Sequence, residues 1–168
     1  MSNPHAPPEG ERKPLKILPV ADNRKARHDF EILEKFEAGL VLAGSEVKSL
    51  RAGQVQFEGA FARLDEKGEA WLINLYIAPF KQATGFAAEL LHKRARKLLL
   101  SRHEIEKIHK KYEIRGLTLI PLKIYFKGPW AKCELGVGRG RTKGDKRAVL
   151  KDRERAREAQ AAMRPKKG

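Results

Sequence analysis

The chain has 168 residues, of which 36 are Lys or Arg and 21 are Asp or Glu, giving a formal net charge of +15. This length suits one domain with tails, and the basic excess indicates a polyanionic partner, either nucleic acid or an anionic membrane surface. The single cysteine excludes an intramolecular disulfide framework, and no run of residues approaches the roughly 20 apolar residues of a membrane span. We therefore expect a soluble, cytoplasmic protein.

The beginning of the chain has a composition unlike the rest. Five of the nine prolines lie in the first 19 residues, which hold few apolar side chains. Such a segment buries too little surface to order itself, so we predict a disordered, proline-rich basic arm over residues 1–20. We expect a β-rich domain over residues 21–138 and a basic tail over residues 139–168.

The first half of that domain predicts short strands. FEILEKF (30–36) alternates with Phe30, Ile32 and Phe36 on one side, and GLVLAG (39–44) follows it. QVQFEGAFARLDEKGEAWLINLYI (54–77) predicts a hairpin with its turn in DEKG. The residues expected on one face of its second strand are Trp71, Ile73, Leu75 and Ile77.

A second hairpin has a more regular pattern. Apolar and polar residues alternate along 120–126, the chain turns at 127–129, and 131–137 returns. The residues predicted to face inward are Ile120, Leu122, Ile124, Phe126, Ala131, Cys133, Leu135 and Val137. About six short strands of this kind indicate a mainly β fold, either a small closed antiparallel barrel or a sandwich.

Two helices interrupt the strands. SRHEIEKIHKKYEIRG begins with a capping box formed by Ser101 and Glu104 and ends at Gly116. Its spacing predicts a buried stripe of Ile105, Ile108 and Tyr112. A shorter helix is predicted over residues 45–52.

The C-terminal segment GRGRTKGDKRAVLKDRERAREAQAAM (138–163) consists of helix formers without an apolar face. Residues 139–167 include 12 basic and 4 acidic residues, so this segment contributes +8 of the +15 net charge. We predict that it is disordered alone and becomes helical against a polyanion, after a flexible basic hinge over Gly136–Gly144. A membrane surface is disfavoured, because an interfacial helix needs a wide apolar face.

The sequence offers little for catalysis or metal binding. The five histidines are scattered, and His103 and His109 are six residues apart, so they do not share a helix face. GVGRGRTKG (136–144) lacks the glycine before lysine that a phosphate-binding loop needs. We expect no catalytic residues, no metal and no cofactor.

Basic segments point to nucleic acid. NRKARHDF (23–30) and HKRARKLLL (92–100) each concentrate positive charge beside a predicted strand or helix. Either segment alone is as consistent with an ordinary solvated face. Two of them together with the basic tail favour a surface that neutralises RNA phosphates.

A series of motifs in this order closely resembles the bacterial SsrA-binding protein family, also called small protein B. The motifs are NRKARHDF, FEAGLVLAGSEVKSLRAG, RKLLLSRHEI, GLTLIPLKIYFKGPWAK and GDKR with a charged tail, within residues 20–158. The resemblance implies an oligonucleotide-binding-like barrel with about three helices. It also implies a partner, transfer-messenger RNA, whose tRNA-like domain the barrel binds, and a tail that is helical in the empty messenger channel of a stalled ribosome.

The resemblance also implies a protein that has no enzymatic activity and is monomeric when free. It further implies which residues form its binding sites. Those for transfer-messenger RNA are Lys25, Arg27, His28, Glu37, Leu99 and Lys132. Those of the ribosome-binding tail are Asp145, Lys146 and Arg147, followed by the cations Lys151, Arg153 and Arg155. The chain departs from many members at Arg155, where an aromatic residue is replaced by one that could contact phosphate.

Two alternatives remain at this point. A general ribosomal or structured-RNA-binding barrel would bind many RNAs with comparable affinity. A ribonuclease using His28 and His109 would cleave RNA, but no motif supports it.

Overall fold

The computed structural model describes residues 13–79 and 92–163, and those ranges contain nine strands and four helices. The strands are β1 (Ile17–Asp22), β2 (Phe30–Leu40), β3 (Val55–Gln56), β4 (Phe61–Leu64), β5 (Ala70–Ile73), β6 (Tyr76–Ile77), β7 (Arg96–Leu99), β8 (Leu117–Lys127) and β9 (Trp130–Gly140). The helices are α1 (Arg24–Asp29), α2 (Gly44–Arg51), α3 (Arg102–Tyr112) and α4 (Lys143–Ala162).

The main sheet closes on itself. Its strands follow the order β8, β4, β5, β7, β2, β9, and the ring closes because β9 pairs with both β2 and β8. β1 pairs with residues 123–127 of β8, and β3 and β6 form a separate two-stranded sheet. The predicted mainly β, antiparallel fold is confirmed. In the described residues, α1, α2 and α3 match the expected three helices of the domain, and α4 lies in the C-terminal tail.

The main core fills the inside of this ring. It is built from apolar side chains of the ring strands, among them Leu72, Leu119 and Leu135. Leu50 of α2 and Ile108 of α3 are fully buried in the same cluster, so both helices pack against the ring. Burying each of these aliphatic side chains stabilises the fold by about 1.5–3 kcal/mol.

A bulge divides the buried residues of β8 between two clusters. The register of β8 against β9 shifts between residues 121 and 123. Ile120 and Leu122 therefore pack under α1 in a second cluster, whereas Ile124 and Phe126 lie in the main core. The prediction that all four share one face is wrong, although all four are buried.

The glycines of β9 make room for this second cluster. A Cβ on Gly136 would lie 2.8 Å from Cδ1 of Leu122, and one on Gly138 would lie 3.2 Å from Cδ1 of Ile120. The predicted hinge over residues 136–144 is therefore wrong for its first half. These glycines belong to a packed strand and are required by close approach.

The first hairpin turns where predicted, but its second strand does not keep one face inward. Asn74 has a φ of 58°, which ends β5 and shifts the alternation of side chains. Leu75 and Ile77 are buried as predicted, whereas Trp71 and Ile73 remain half-buried.

The capping box of α3 is present as predicted. The Ser101 amide donates to Oε2 of Glu104 at 2.9 Å, and the Glu104 amide donates to Oγ of Ser101 at 3.3 Å. Ile108 is fully buried, but Tyr112 is 44% exposed, so its predicted place in the buried stripe is wrong.

Part of the predicted disordered arm is a strand. Residues 1–12 lie outside the described residues, but Ile17–Asp22 form β1, paired with β8. Pro19 is compatible with this position because β1 lies at the end of the sheet and its pairing is irregular between Pro19 and Ala21. The prediction of disorder therefore fails for residues 17–20.

Candidate RNA interface

The predicted RNA-contact residues form two groups at opposite ends of β2. The α1 group consists of Lys25, Arg27 and His28, and the ring group consists of Glu37, Leu99 and Lys132. α1 ends at Asp29, and eight residues of extended chain to Glu37 span about 25 Å. The structure brings the members of each group together but does not join the two groups.

Strand pairing assembles the ring group around Gly39. Gly39 pairs with Leu99 on one side and with Lys132 on the other, and Glu37 precedes it by two residues on the same face. A Cβ on Gly39 would lie 3.2 Å from Cβ of Leu99. Because Gly39 has no side chain, Leu99 remains 55% exposed beside an acid and a base.

Glu37 has two further partners that the sequence analysis did not identify. The hydroxyl of Tyr125 donates to Oε2 of Glu37, and Nζ of Lys127 lies 3.3 Å from Oε1. The hydrogen bond from Tyr125 lowers the pKa of Glu37, with further lowering from Lys127 and Lys132. Burial and the Glu37 carboxylate raise the pKa of Tyr125, so the phenol stays protonated and the carboxylate stays charged.

The sequence predicts the face on which these two partners lie, but not their contact with Glu37. Tyr125 and Lys127 alternate with the core residues Ile124 and Phe126, which places them on the outer face of β8. What the sequence does not reveal is their neighbour, since Glu37 lies 88 residues away from Tyr125 along the chain.

The α1 group is fixed by a side-chain cap. Oδ1 of Asn23 accepts from the Ala26 amide at 3.1 Å, while its Nδ2 donates to the carbonyl of Pro121 in β8 at 2.9 Å. Helix α1 is thereby held over the second cluster, with Lys25 exposed and Nη2 of Arg27 3.3 Å from Oδ1 of Asp22.

An open groove runs beside this group. Its volume is about 600 Å³, and it lies between α1 and the segment 56–60. Lys25 lines it together with Phe30 and Phe57, so a cationic side chain borders a partly aromatic wall.

The tail begins against α1. Nζ of Lys146 lies 3.2 Å from Oδ1 of Asp29, and the same oxygen lies 3.1 Å from Nδ1 of His28. The Arg141 amide donates to the Asp29 carbonyl at 2.8 Å. The two contacts of the carboxylate lower the pKa of Asp29, first through His28 and then through Lys146. Asp29 therefore joins the α1 group to the first turn of α4.

The predicted tail residues have different environments. Asp145 caps α4, since its Oδ2 accepts from the Thr142 amide at 3.1 Å and from the Thr142 hydroxyl at 2.7 Å. These bonds lower the pKa of Asp145. Lys146 is partly covered by Asp29. The predicted tail cations that are exposed are Arg147, Lys151, Arg153 and Arg155.

One predicted basic surface is partly structural. The Arg96 side chain is fully buried, with Nη1 donating to the Leu75 carbonyl at 2.6 Å and Nε donating to Glu46 at 2.9 Å. Nε of Arg94 donates to the other oxygen of Glu46 at 2.6 Å. Within HKRARKLLL, the interpretation as an RNA surface is therefore wrong for Arg96, because it serves the fold. Residues 80–91, which precede it, are outside the described residues.

Residues 13–79 and 92–163 contain no group of three or more His, Cys, Asp or Glu side chains placed to hold a metal ion. Among the helices in the same ranges, none combines the length and the apolar character needed to cross a bilayer.

Comparison with known proteins identifies the family. Residues 20–165 match the family model described as SmpB protein. The SsrA-binding protein of Carboxydothermus hydrogenoformans is 50% identical over 145 residues, which cover 86% of this chain and 95% of that protein. The SsrA-binding protein of Thermus thermophilus is 53% identical over 144 residues, covering 85% of this chain and 94% of that one. A solved structure described as "tmRNA-SmpB: a journey to the center of the bacterial ribosome" contains a chain with 51% identity and a TM-score of 0.62, covering 79% of this chain and 94% of that chain. The chain belongs to the SmpB family of SsrA-binding proteins.

Proposed function

We propose that this protein binds the tRNA-like domain of transfer-messenger RNA and delivers that RNA to stalled ribosomes for trans-translation. Its relatives are SsrA-binding proteins, and the similar solved structure is described as a tmRNA–SmpB complex on the bacterial ribosome. The observation that carries the proposal is the ring group, in which Leu99 and Lys132 flank Gly39 next to Glu37. An exposed apolar residue beside a cation suits a folded RNA surface.

The ring and the tail have separate roles in this proposal. The ring group and the α1 group contact transfer-messenger RNA, while α4 enters the messenger channel of the small subunit when that channel is empty. This division is supported by the exposure of each described side chain from Arg147 to Met163, since none of them is used by the core. The cations of α4 neutralise ribosomal RNA phosphates there.

The protein performs no chemistry in this proposal. Peptide transfer belongs to the ribosome and aminoacylation of the RNA belongs to a synthetase, so the protein acts by binding and positioning in the bacterial cytoplasm. The free protein is a monomer and needs no cofactor in this proposal.

A titration tests recognition directly. The protein is titrated with the isolated tRNA-like domain and with a control RNA of the same length at physiological salt. We expect tighter binding to the tRNA-like domain, with log K falling against log salt by about 0.7–0.9 for each phosphate contact. Equal affinities for the two RNAs would falsify recognition and favour a general structured-RNA-binding role.

A further inference from the structure

Glu37 poses a specific problem for an RNA interface. A carboxylate repels phosphate, yet Glu37 lies in the middle of the ring group and is held in its charged form. A role for Glu37 must therefore come either from accepting a hydrogen bond from RNA or from organising a neighbouring cation.

The contacts of Glu37 favour the second role. Each of its carboxylate oxygens already has a protein partner, Tyr125 on Oε2 and Lys127 on Oε1. Both partners come from β8, whereas Glu37 comes from β2, so the carboxylate links two strands that are separated by β9. The protonated phenol of Tyr125 fixes one oxygen and leaves the other directed at Lys127.

Lys127 is placed to meet a ligand. It is the last residue of β8, and it pairs with Trp130, which is 63% exposed, across the hairpin turn. The Lys127 side chain is 39% exposed, so its ammonium group reaches solvent while it contacts Glu37. A long lysine side chain loses rotamer freedom when it binds phosphate, and an existing contact reduces that loss.

We infer that Lys127 is a phosphate-contacting residue of the RNA interface and that Glu37 is a positioning residue, acting through Lys127 with Tyr125 holding its carboxylate. This inference rests on the proposed function. It adds Lys127 and Tyr125 to the RNA-recognition residues and assigns Glu37 an indirect role.

A double-mutant cycle tests the inference on the full chain. The variants Glu37→Gln, Lys127→Met and the combination of both are titrated with the tRNA-like domain over a range of salt concentrations. We expect each single change to weaken binding by about threefold to tenfold, and the double variant to bind like Lys127→Met alone. Lys127→Met should also reduce the salt slope by about 0.7–0.9, the share of one phosphate.

Tyr125→Phe tests the contribution of the Tyr125 hydroxyl group alone. It keeps the packing of the side chain and removes only the donor to Glu37, so we expect a smaller loss of affinity. That loss should disappear in the Glu37→Gln background, because the carboxylate to be positioned is then absent. A loss of equal size in both backgrounds would contradict the positioning role.

Lys111→Met is the matched control. Lys111 pairs with Glu34 on the opposite face of β2, and its side chain is 36% exposed, close to the 39% of Lys127. The same charge is removed without touching the ring group, so the RNA affinity and salt slope should stay near those of the unmodified chain. An equal effect of Lys111→Met would mean that only net charge matters.

The outcomes distinguish this inference from the function on which it rests. If the unmodified chain does not prefer the tRNA-like domain, the proposed function fails. If the unmodified chain does prefer that RNA, but the losses of binding free energy in Glu37→Gln and Lys127→Met are additive, Glu37 contacts RNA itself. Only the positioning role then fails. The thermal unfolding midpoint of each variant should lie within a few degrees of that of the unmodified chain. This control shows that the changes act on binding and not on folding.

Discussion

At the scale of single residues, Gly136 and Arg96 show that the role of a residue depends on what surrounds it in the fold. Gly136 lies in a sequence stretch that suggests a flexible hinge, yet Leu122 occupies the space that a Cβ would need. Arg96 lies in a basic run that suggests an RNA surface, yet its guanidinium is buried against Glu46 and three backbone carbonyls. Glycine content and charge density therefore mislead unless the fold is known.

Replacing Gly136 tests this close packing. Gly136→Ala puts a methyl group 2.8 Å from Cδ1 of Leu122, so the second cluster must shift or β9 must bend. We expect a loss of about 1–3 kcal/mol in the free energy of unfolding, measured with urea.

The control for this change lies on the same strand. At Gly140 the nearest atom to an added Cβ is Cε1 of Phe30, at 4.0 Å, which is ordinary contact. Gly140→Ala should therefore leave the urea midpoint almost unchanged. Equal effects at Gly136 and Gly140 would mean that packing against Leu122 is not what requires glycine.

At the scale of elements, the junction of α1 and α4 connects the α1 group to the tail. The Asp29 carboxylate contacts His28 of α1 and Lys146 of α4. The Asp29 backbone carbonyl accepts a hydrogen bond from the Arg141 amide. Beyond Lys146 each described side chain of α4 is exposed. The direction of the tail is therefore set within its first turn.

Asp29→Asn should loosen this junction. The change removes the charge that holds Lys146, so we expect larger-amplitude motion of residues 146–162, seen as lower NMR backbone order parameters at neutral pH. Asp152→Asn, which removes the same charge from an exposed position in α4, serves as the control. Unchanged order parameters in Asp29→Asn would show that the ion pair does not fix the tail.

The junction should also respond to acid in a defined direction. His28 and Lys146 lower the pKa of Asp29 in the folded protein, so its stabilising contribution is complete above the unfolded value of about 3.9. That contribution is lost as the pH falls through the lower, folded pKa. In the unmodified chain the tail should therefore loosen only in acid, while Asp29→Asn is loose at neutral pH.

At the scale of the whole molecule, the alternation of apolar residues and the turn motifs predict a mainly β, antiparallel fold, because these patterns follow local periodicity. They leave a closed barrel and a sandwich as alternatives, and the pairing of β9 with both β2 and β8 is what shows a closed ring. The bulge within residues 121–123 and the break at Asn74 were not predictable, since each depends on packing between strands. The same limit applies to the site. Family motifs indicated Glu37, but its contacts with Tyr125 and Lys127 exist only once β2 and β8 are assembled.

In the proposed function, the ring recognises transfer-messenger RNA and α4 acts on the ribosome, so the two activities should be separable. A chain ending at Thr142 removes α4 and keeps all the strands, so the ring should still fold. In a reconstituted translation reaction stalled on a message without a stop codon, the measurement is tagging of the nascent peptide, with binding to the tRNA-like domain measured in parallel. We predict RNA affinity close to that of the full chain and no tagging. Loss of RNA affinity on truncation, or normal tagging without α4, would contradict this account.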